Sequence, residues 1–167
     1  PMPVQTPSRF LDVDRDGTLE LVSVFHRDRK AGTYVFAALS LRDLKTLWAT
    51  ADLRLSSWRE TTPDAKRTLD APVIGFPADL DGDGEADLTA AFPGPEVRAF
   101  STRDGRELWR QAVPAAPLRF EADADRNGDG RCEVLVRHES CADPASLVEL
   151  DGARGTLRWE RGLEEPL

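Results

Sequence analysis

The run Asp79-Leu80-Asp81-Gly82-Asp83-Gly84-Glu85-Ala86-Asp87 places a side-chain oxygen at positions 1, 3, 5 and 9 of a nine-residue loop, with glycine at position 6. Ca²⁺ takes six to eight oxygen ligands at about 2.3–2.6 Å, and alternating carboxylates around a tight glycine turn supply most of them from one short segment. The pattern occurs twice more, as Asp12, Asp14, Asp16, Gly17 and Glu20, and as Asp125, Asn127, Asp129, Gly130 and Glu133 with asparagine at position 3. Position 7, held by Thr18, Glu85 and Arg131, is expected to offer only its backbone carbonyl, which is why such unlike side chains are tolerated there. A single acidic turn is common on any surface. Three copies in one register predict up to three structural Ca²⁺ ions and require the chain to form the same local structure three times.

The residues after each glycine decide what that structure is. An EF-hand or dockerin-type loop needs a bidentate Glu at position 12 and an exiting helix, but position 12 is Ser23, Ala90 or Val136. The exiting segments, 19–25, 86–92 and 132–138, are rich in apolar and β-branched residues, and carry the last acidic ligand near their start. They read as strands, so each loop joins one strand to the next.

A second motif follows each loop. Residues 99–109 and 149–159 share a strand, a glycine (Gly105, Gly155), and a tryptophan four residues later (Trp109, Trp159); residues 38–48 repeat it with Leu44 in place of the glycine. A tryptophan at a fixed place in each copy reads as an apolar plate packed between neighbouring units. Short apolar segments starting near Pro7, Pro72 and Pro117 supply an entering strand before each loop. Each unit is then four antiparallel strands in about 45–50 residues, the signature of a β-propeller blade. The expected fold is all-β: one propeller region over 1–167, with three blades near 6–50, 71–111 and 116–161 and an insertion at 49–70. That insertion contains Trp58, and it reads equally as a recognition loop or as an extension of the sheet.

The three loops with their following Leu-Glu-Leu-Val, Asp-Leu-Thr-Ala and Glu-Val-Leu-Val segments resemble the calcium-binding FG-GAP/VCBS repeats of integrin α-subunit heads and bacterial surface proteins. The Gly-x-x-x-Trp segments are similar to the tryptophan-docking repeats of quinoprotein-type propellers. The resemblance implies a scaffold more than an activity, and no residue here matches those that would bind a quinone.

Composition narrows the function further. The net charge is -8, yet eleven carboxylates sit at loop ligand positions, so the acidity is local and the remainder is mildly basic. A surface whose strongest field is acidic argues against nucleic acid as a partner. No apolar run is long enough to span a membrane, and the first residues lack the charged and apolar regions of a signal peptide. Cys132 and Cys141 allow a disulfide, although an extended strand between them, rising about 3.3 Å per residue, tends to carry them apart. His26 and His138 are single and read as strand-end surface residues rather than a zinc site.

With no nucleophile–base pair and no phosphate loop, the chain is expected not to be an enzyme. The expected function is a calcium-stabilised scaffold for a protein or carbohydrate ligand in an extracellular, periplasmic or cell-surface setting. There, near-millimolar calcium would fill even weak sites. Two alternatives stay open: non-catalytic blades of a propeller enzyme, such as a polysaccharide lyase or quinoprotein-like oxidoreductase, and a sensor domain of a membrane or signalling protein. Because three blades do not close a circle, either further blades or self-association is expected, two copies forming a six-bladed ring being one arrangement.

Overall fold

The computed structural model of the chain describes residues 8–28, 33–51, 53–54, 73–75, 77–92, 96–113, 119–138 and 146–163. All regular structure among them is strand. The first sheet contains β1 (Ser8–Leu11), β2 (Glu20–Asp28), β3 (Thr33–Ser40) and β4 (Thr46–Ala49), paired antiparallel in chain order. A short β5 (Leu53–Arg54) resumes pairing with β3 beyond the end of β4, so the outermost strand of this sheet is interrupted. The second sheet is β6 (Val73–Ile74), β7 (Leu88–Phe92), β8 (Glu96–Phe100) and β9 (Glu107–Ala112). The third is β10 (Arg119–Ala124), β11 (Glu133–His138), β12 (Ser146–Leu150) and β13 (Leu157–Gly162). Three four-stranded antiparallel meanders repeated along one chain are the blades of a β-propeller segment. Trp58, Cys141 and positions 52 and 55–70 of the 49–70 insertion lie outside the described residues, as do the side chains of His26 and His138.

The strands bury both faces of the middle blade, as alternating side chains require. Leu88, Ala90 and Phe100 join Val22, Val24, Phe36 and Ala38 of the first blade in one apolar cluster. Ala91, Val97, Ala99 and Trp109 join Val134, Val136, Val148 and Leu150 of the third blade in another. The rings of Phe36 and Phe100, with centroids 5.0 Å apart, bridge the first interface. Backbone contacts add specificity: the Arg9 guanidinium donates to the carbonyls of Ile74 (3.1 Å) and Gly75 (3.2 Å), and the Cys132 N–H donates to the Asp79 carbonyl (2.9 Å).

The tryptophan motif works as an inter-blade plate. Trp48 of the first blade lies over Gly105 of the second, where an added Cβ would come within 2.5 Å of the indole. Trp109 of the second blade covers Gly155 of the third in the same way, and its Nε1–H donates to the Gly152 carbonyl at 2.5 Å. Both glycines have positive φ, +73° and +69°, and the hairpins are closed alike, the Gly105 and Gly155 N–H groups donating to the carbonyls of Ser101 and Asp151. Leu44 closes the first-blade hairpin with the same bond, to Ser40, and holds φ at +59°. The turn is therefore kept without its glycine, at the steric cost of a leucine in the left-handed region.

Candidate metal-binding loops

Each acidic loop spans the first two strands of its blade and is folded by its own carboxylates. At position 1, Asp79 accepts from the N–H groups of Gly82 (2.7 Å) and Gly84 (3.0 Å), Asp125 accepts from Gly128 (2.7 Å) and Gly130 (2.9 Å), and Asp12 accepts from Gly17 (3.1 Å). At position 3, Asp14, Asp81 and Asn127 each accept the N–H two residues on, and at position 5 Asp16, Asp83 and Asp129 do the same. These are Asx turns, which satisfy the backbone locally and fix the loop. Two residues per loop adopt positive φ: position 6 (Gly17, Gly84, Gly130) and position 4 (Arg15, Gly82, Gly128). The second was not foreseen from the sequence, because Arg15 interrupts an otherwise visible glycine column.

At position 9 the side chain turns back into the loop. Glu20, Asp87 and Glu133 are all buried, and they accept the position 2 N–H groups of Val13 (2.9 Å), Leu80 (3.1 Å) and Arg126 (2.7 Å). With one oxygen of a carboxylate engaged by the backbone, another is left for the loop centre. Oxygens of Asp12, Asp14 and Glu20 lie within 4.8 Å of one another, and so do those of Asp79, Asp81 and Asp87. The position 5 carboxylates, Asp16 and Asp83, fall outside those two groupings.

Two of the three position 7 side chains turn to neighbouring loops. Glu85 pairs with Arg15 of the first loop at 2.6 Å, and Arg131 of the third loop lies against Gly82 of the second. The loops therefore sit side by side at one end of the blades.

The electrostatics differ between loops. Asp87 is fully buried, its Oδ1 has no hydrogen-bond partner, and burial, reinforced by the charges of Asp81 and Asp83, pushes its carboxyl up to about 7 against the pull of the Leu80 N–H. Burial likewise raises Glu20, with Asp14, Asp16 and Asp12 adding to it. A cation at these centres would offset both effects. In the third loop the ninth carboxylate already has partners: Glu133 Oε1 accepts from Asn127 Nδ2 (2.7 Å) and faces Arg158 Nη1 at 3.0 Å. Asn127 spends its one oxygen on Asp129 N–H, so its amide nitrogen faces Glu133 and Asp129. Asp125 is held below the usual carboxylate range chiefly by the Gly130 N–H, with those of Gly128, Asp129 and Asn127 adding to it. The first two donor sets, hard oxygens around a buried acid, fit a calcium ion; the third fits it less well.

Residues 93–167 match the family described as outer membrane protein assembly factor BamB. No curated protein matches the chain. Among solved structures, the crystal structure of BamB from Moraxella catarrhalis is similar at 18% identity and a TM-score of 0.46, covering 86% of this chain and 34% of that one. The chain thus spans about a third of the length of that structure. The family match falls on the second and third tryptophan hairpins and supports propeller repeats of the quinoprotein-like kind.

Proposed function

We propose that this chain is a calcium-stabilised propeller segment of FG-GAP/VCBS-like character, non-catalytic, that serves as a protein-interaction scaffold outside the cytosol. The observation that carries the calcium part is the second loop, where the oxygens of Asp79, Asp81 and Asp87 converge around a buried acid with an unpartnered oxygen. Asp12, Asp14, Asp16 and Glu20, Asp79, Asp81, Asp83 and Asp87, and more weakly Asp125, Asn127, Asp129 and Glu133, would hold the ions, with the backbone carbonyls of Thr18, Glu85 and Arg131 completing the sets. The scaffold part is supported by the stacking of blades and by the match to a family whose description is an assembly factor. A periplasmic or cell-surface setting follows from the calcium requirement, since a weak site fills only where calcium is near millimolar.

Isothermal titration with Ca²⁺ is the test, expected to give saturable binding at two or three sites. Absence of binding heat would remove the calcium part. Turnover of a polysaccharide, or of an alcohol with a quinone present, by the full protein would remove the scaffold part.

A further inference from the structure

The turn between β8 and β9 is held from two sides. It closes on itself through the Ser101 N–H, which donates to the Arg106 carbonyl at 2.9 Å, and the Gly105 N–H, which donates to the Ser101 carbonyl at 3.0 Å. On one side Trp48, from the first blade, lies over Gly105. On the other side the turn holds the second acidic loop. The buried Thr102 hydroxyl donates to the Ala86 carbonyl at 2.5 Å, and Arg106 Nη2 stands 3.6 Å from Asp81 Oδ2. Ala86 is loop position 8, directly before Asp87, and Asp81 is position 3.

The third blade keeps this arrangement by other means. Gly152 stands where Thr102 stands, and a Cβ added there would collide with the carbonyl oxygen of Cys132, which is position 8 of the third loop. The backbone of that turn therefore rests directly on the carbonyl, while Trp109 donates to Gly152 from the second blade. In the first blade the equivalent residues are Leu41 and Leu44, both exposed, so that turn has neither the hydroxyl nor the glycine. A hairpin backed by its own acidic loop and covered by the preceding blade's indole occurs twice among the described residues.

We propose that the 101–106 turn couples its two sides: an ion in the second loop tightens the seating of Trp48, and a seated Trp48 raises the affinity of the second loop for the ion. Thr102 is the positioning residue. With Asp81 and Asp87 held by an ion, the backbone at position 8 is fixed, and the Thr102 hydroxyl follows the Ala86 carbonyl. Trp48 orders the same turn from the opposite side. Whichever contact forms first reduces the conformational entropy lost on forming the other, and the coupling is equal in both directions. Calcium thereby sets how firmly the first blade packs on the second. The inference rests on the calcium reading of the second loop and goes beyond it.

Calcium titration in an Asp14→Ala background, which weakens the first loop and leaves the second as the stronger site, reads the coupling. There Trp48→Phe, which keeps an aromatic ring on the first blade, should weaken binding by about fivefold or more, and Thr102→Val should do the same. Thr102→Ser restores the hydroxyl and should bind as the parent does. In an Asp81→Ala background, Trp48→Phe should leave the affinity of the first loop unaltered, although Trp48 and that loop belong to one blade. The converse is read by proton–nitrogen NMR of the otherwise unaltered chain at saturating calcium. The Trp48 indole N–H signal should shift on calcium addition in wild type and in Thr102→Ser, and stay in place in Thr102→Val.

The proposal is overturned if Trp48→Phe leaves the second loop's affinity unchanged in a chain that melts cooperatively, or if it weakens both loops alike, as general loosening of the first blade would. It is equally overturned if the Trp48 signal shifts as far in Thr102→Val as in wild type. Where a variant folds too poorly to titrate, the wild-type spectrum decides: a Trp48 signal indifferent to saturating calcium overturns the coupling and leaves the calcium reading intact. No calcium binding by wild type would overturn both.

Discussion

The second and third acidic loops are built on one backbone plan and differ in how the charge at their centre is balanced. Both close on a position 1 aspartate that accepts two or more backbone N–H groups, both carry glycines of positive φ at positions 4 and 6, and both end on a buried ninth carboxylate. Asp87 keeps an unpartnered oxygen and a raised proton affinity, while Glu133 is held by the Asn127 amide and the Arg158 guanidinium. The comparison separates two jobs that the sequence motif merges. Asx turns shape the loop with or without an ion. What the ion adds is compensation for buried negative charge, and the third loop already supplies part of it from β13.

The largest effect is expected at position 1, where one side chain both shapes the loop and faces its centre. Asp79→Ala should cost about 2–4 kcal/mol in calcium, from lost charge-assisted hydrogen bonds and lost ion binding together. Asp125→Ala should cost less, and its cost should change little on chelation. Equal calcium dependence of the two would erase the distinction between the loops.

Asp87→Asn should change sign with conditions. In chelator at pH 8 it should stabilise by about 1–3 kcal/mol, because it removes a charge that burial disfavours; in millimolar calcium it should destabilise. The folded carboxyl near 7 lies above the ordinary value of 3.8, so between those values the folded state binds more protons than the unfolded one. Wild-type stability in chelator should therefore rise as pH falls from about 8 towards 4, with the raised Glu20 acting in the same direction. The asparagine variant should lose part of that slope, and urea unfolding across the pH range checks it.

Arg158→Met sharpens the other half of the comparison. Arg158 faces Glu133 at 3.0 Å and Asp151 at 3.4 Å and is itself partly solvated, so its loss should cost about 1–2 kcal/mol, below the figure for a fully buried pair. The cost should be larger in chelator than in calcium, where an ion could stand in for the guanidinium. The smallest effect is expected from Asn127→Asp, under about 1 kcal/mol, destabilising in chelator and near neutral in calcium. It exchanges a hydrogen-bond donor for a ligand oxygen, so a third calcium should bind more tightly, as titration would show.

Much of the architecture could be read from spacing alone. The apolar, β-branched segments after each loop became β2, β7 and β11, and two of the three fixed tryptophans, Trp48 and Trp109, became inter-blade plates, because a β-branched run and a large apolar side chain each admit few environments. The positive φ at Arg15 and Leu44 was not legible, since both residue types normally avoid that region and only the glycines at equivalent positions point to it. Nor was the role of Arg158, which lies 25 residues beyond Glu133 and meets it only because β13 pairs with β12 and β12 with β11. Partners set by strand pairing leave no mark at short range in the sequence.

Thermal melting in millimolar calcium and in excess chelator, at pH 7.5, tests the central claim most directly. An ion held with a dissociation constant about 100-fold below its free concentration stabilises the fold by about 2.7 kcal/mol, which for a chain of this size is on the order of 5–10 °C per site. A melting temperature higher in calcium by at least that much, with about half of the gain lost in Asp79→Ala, the first loop supplying the rest, and most of it retained in Asp125→Ala, is the predicted result. Identical melting temperatures in calcium and chelator would contradict it and leave the three loops as Asx-turned connections with no structural ion.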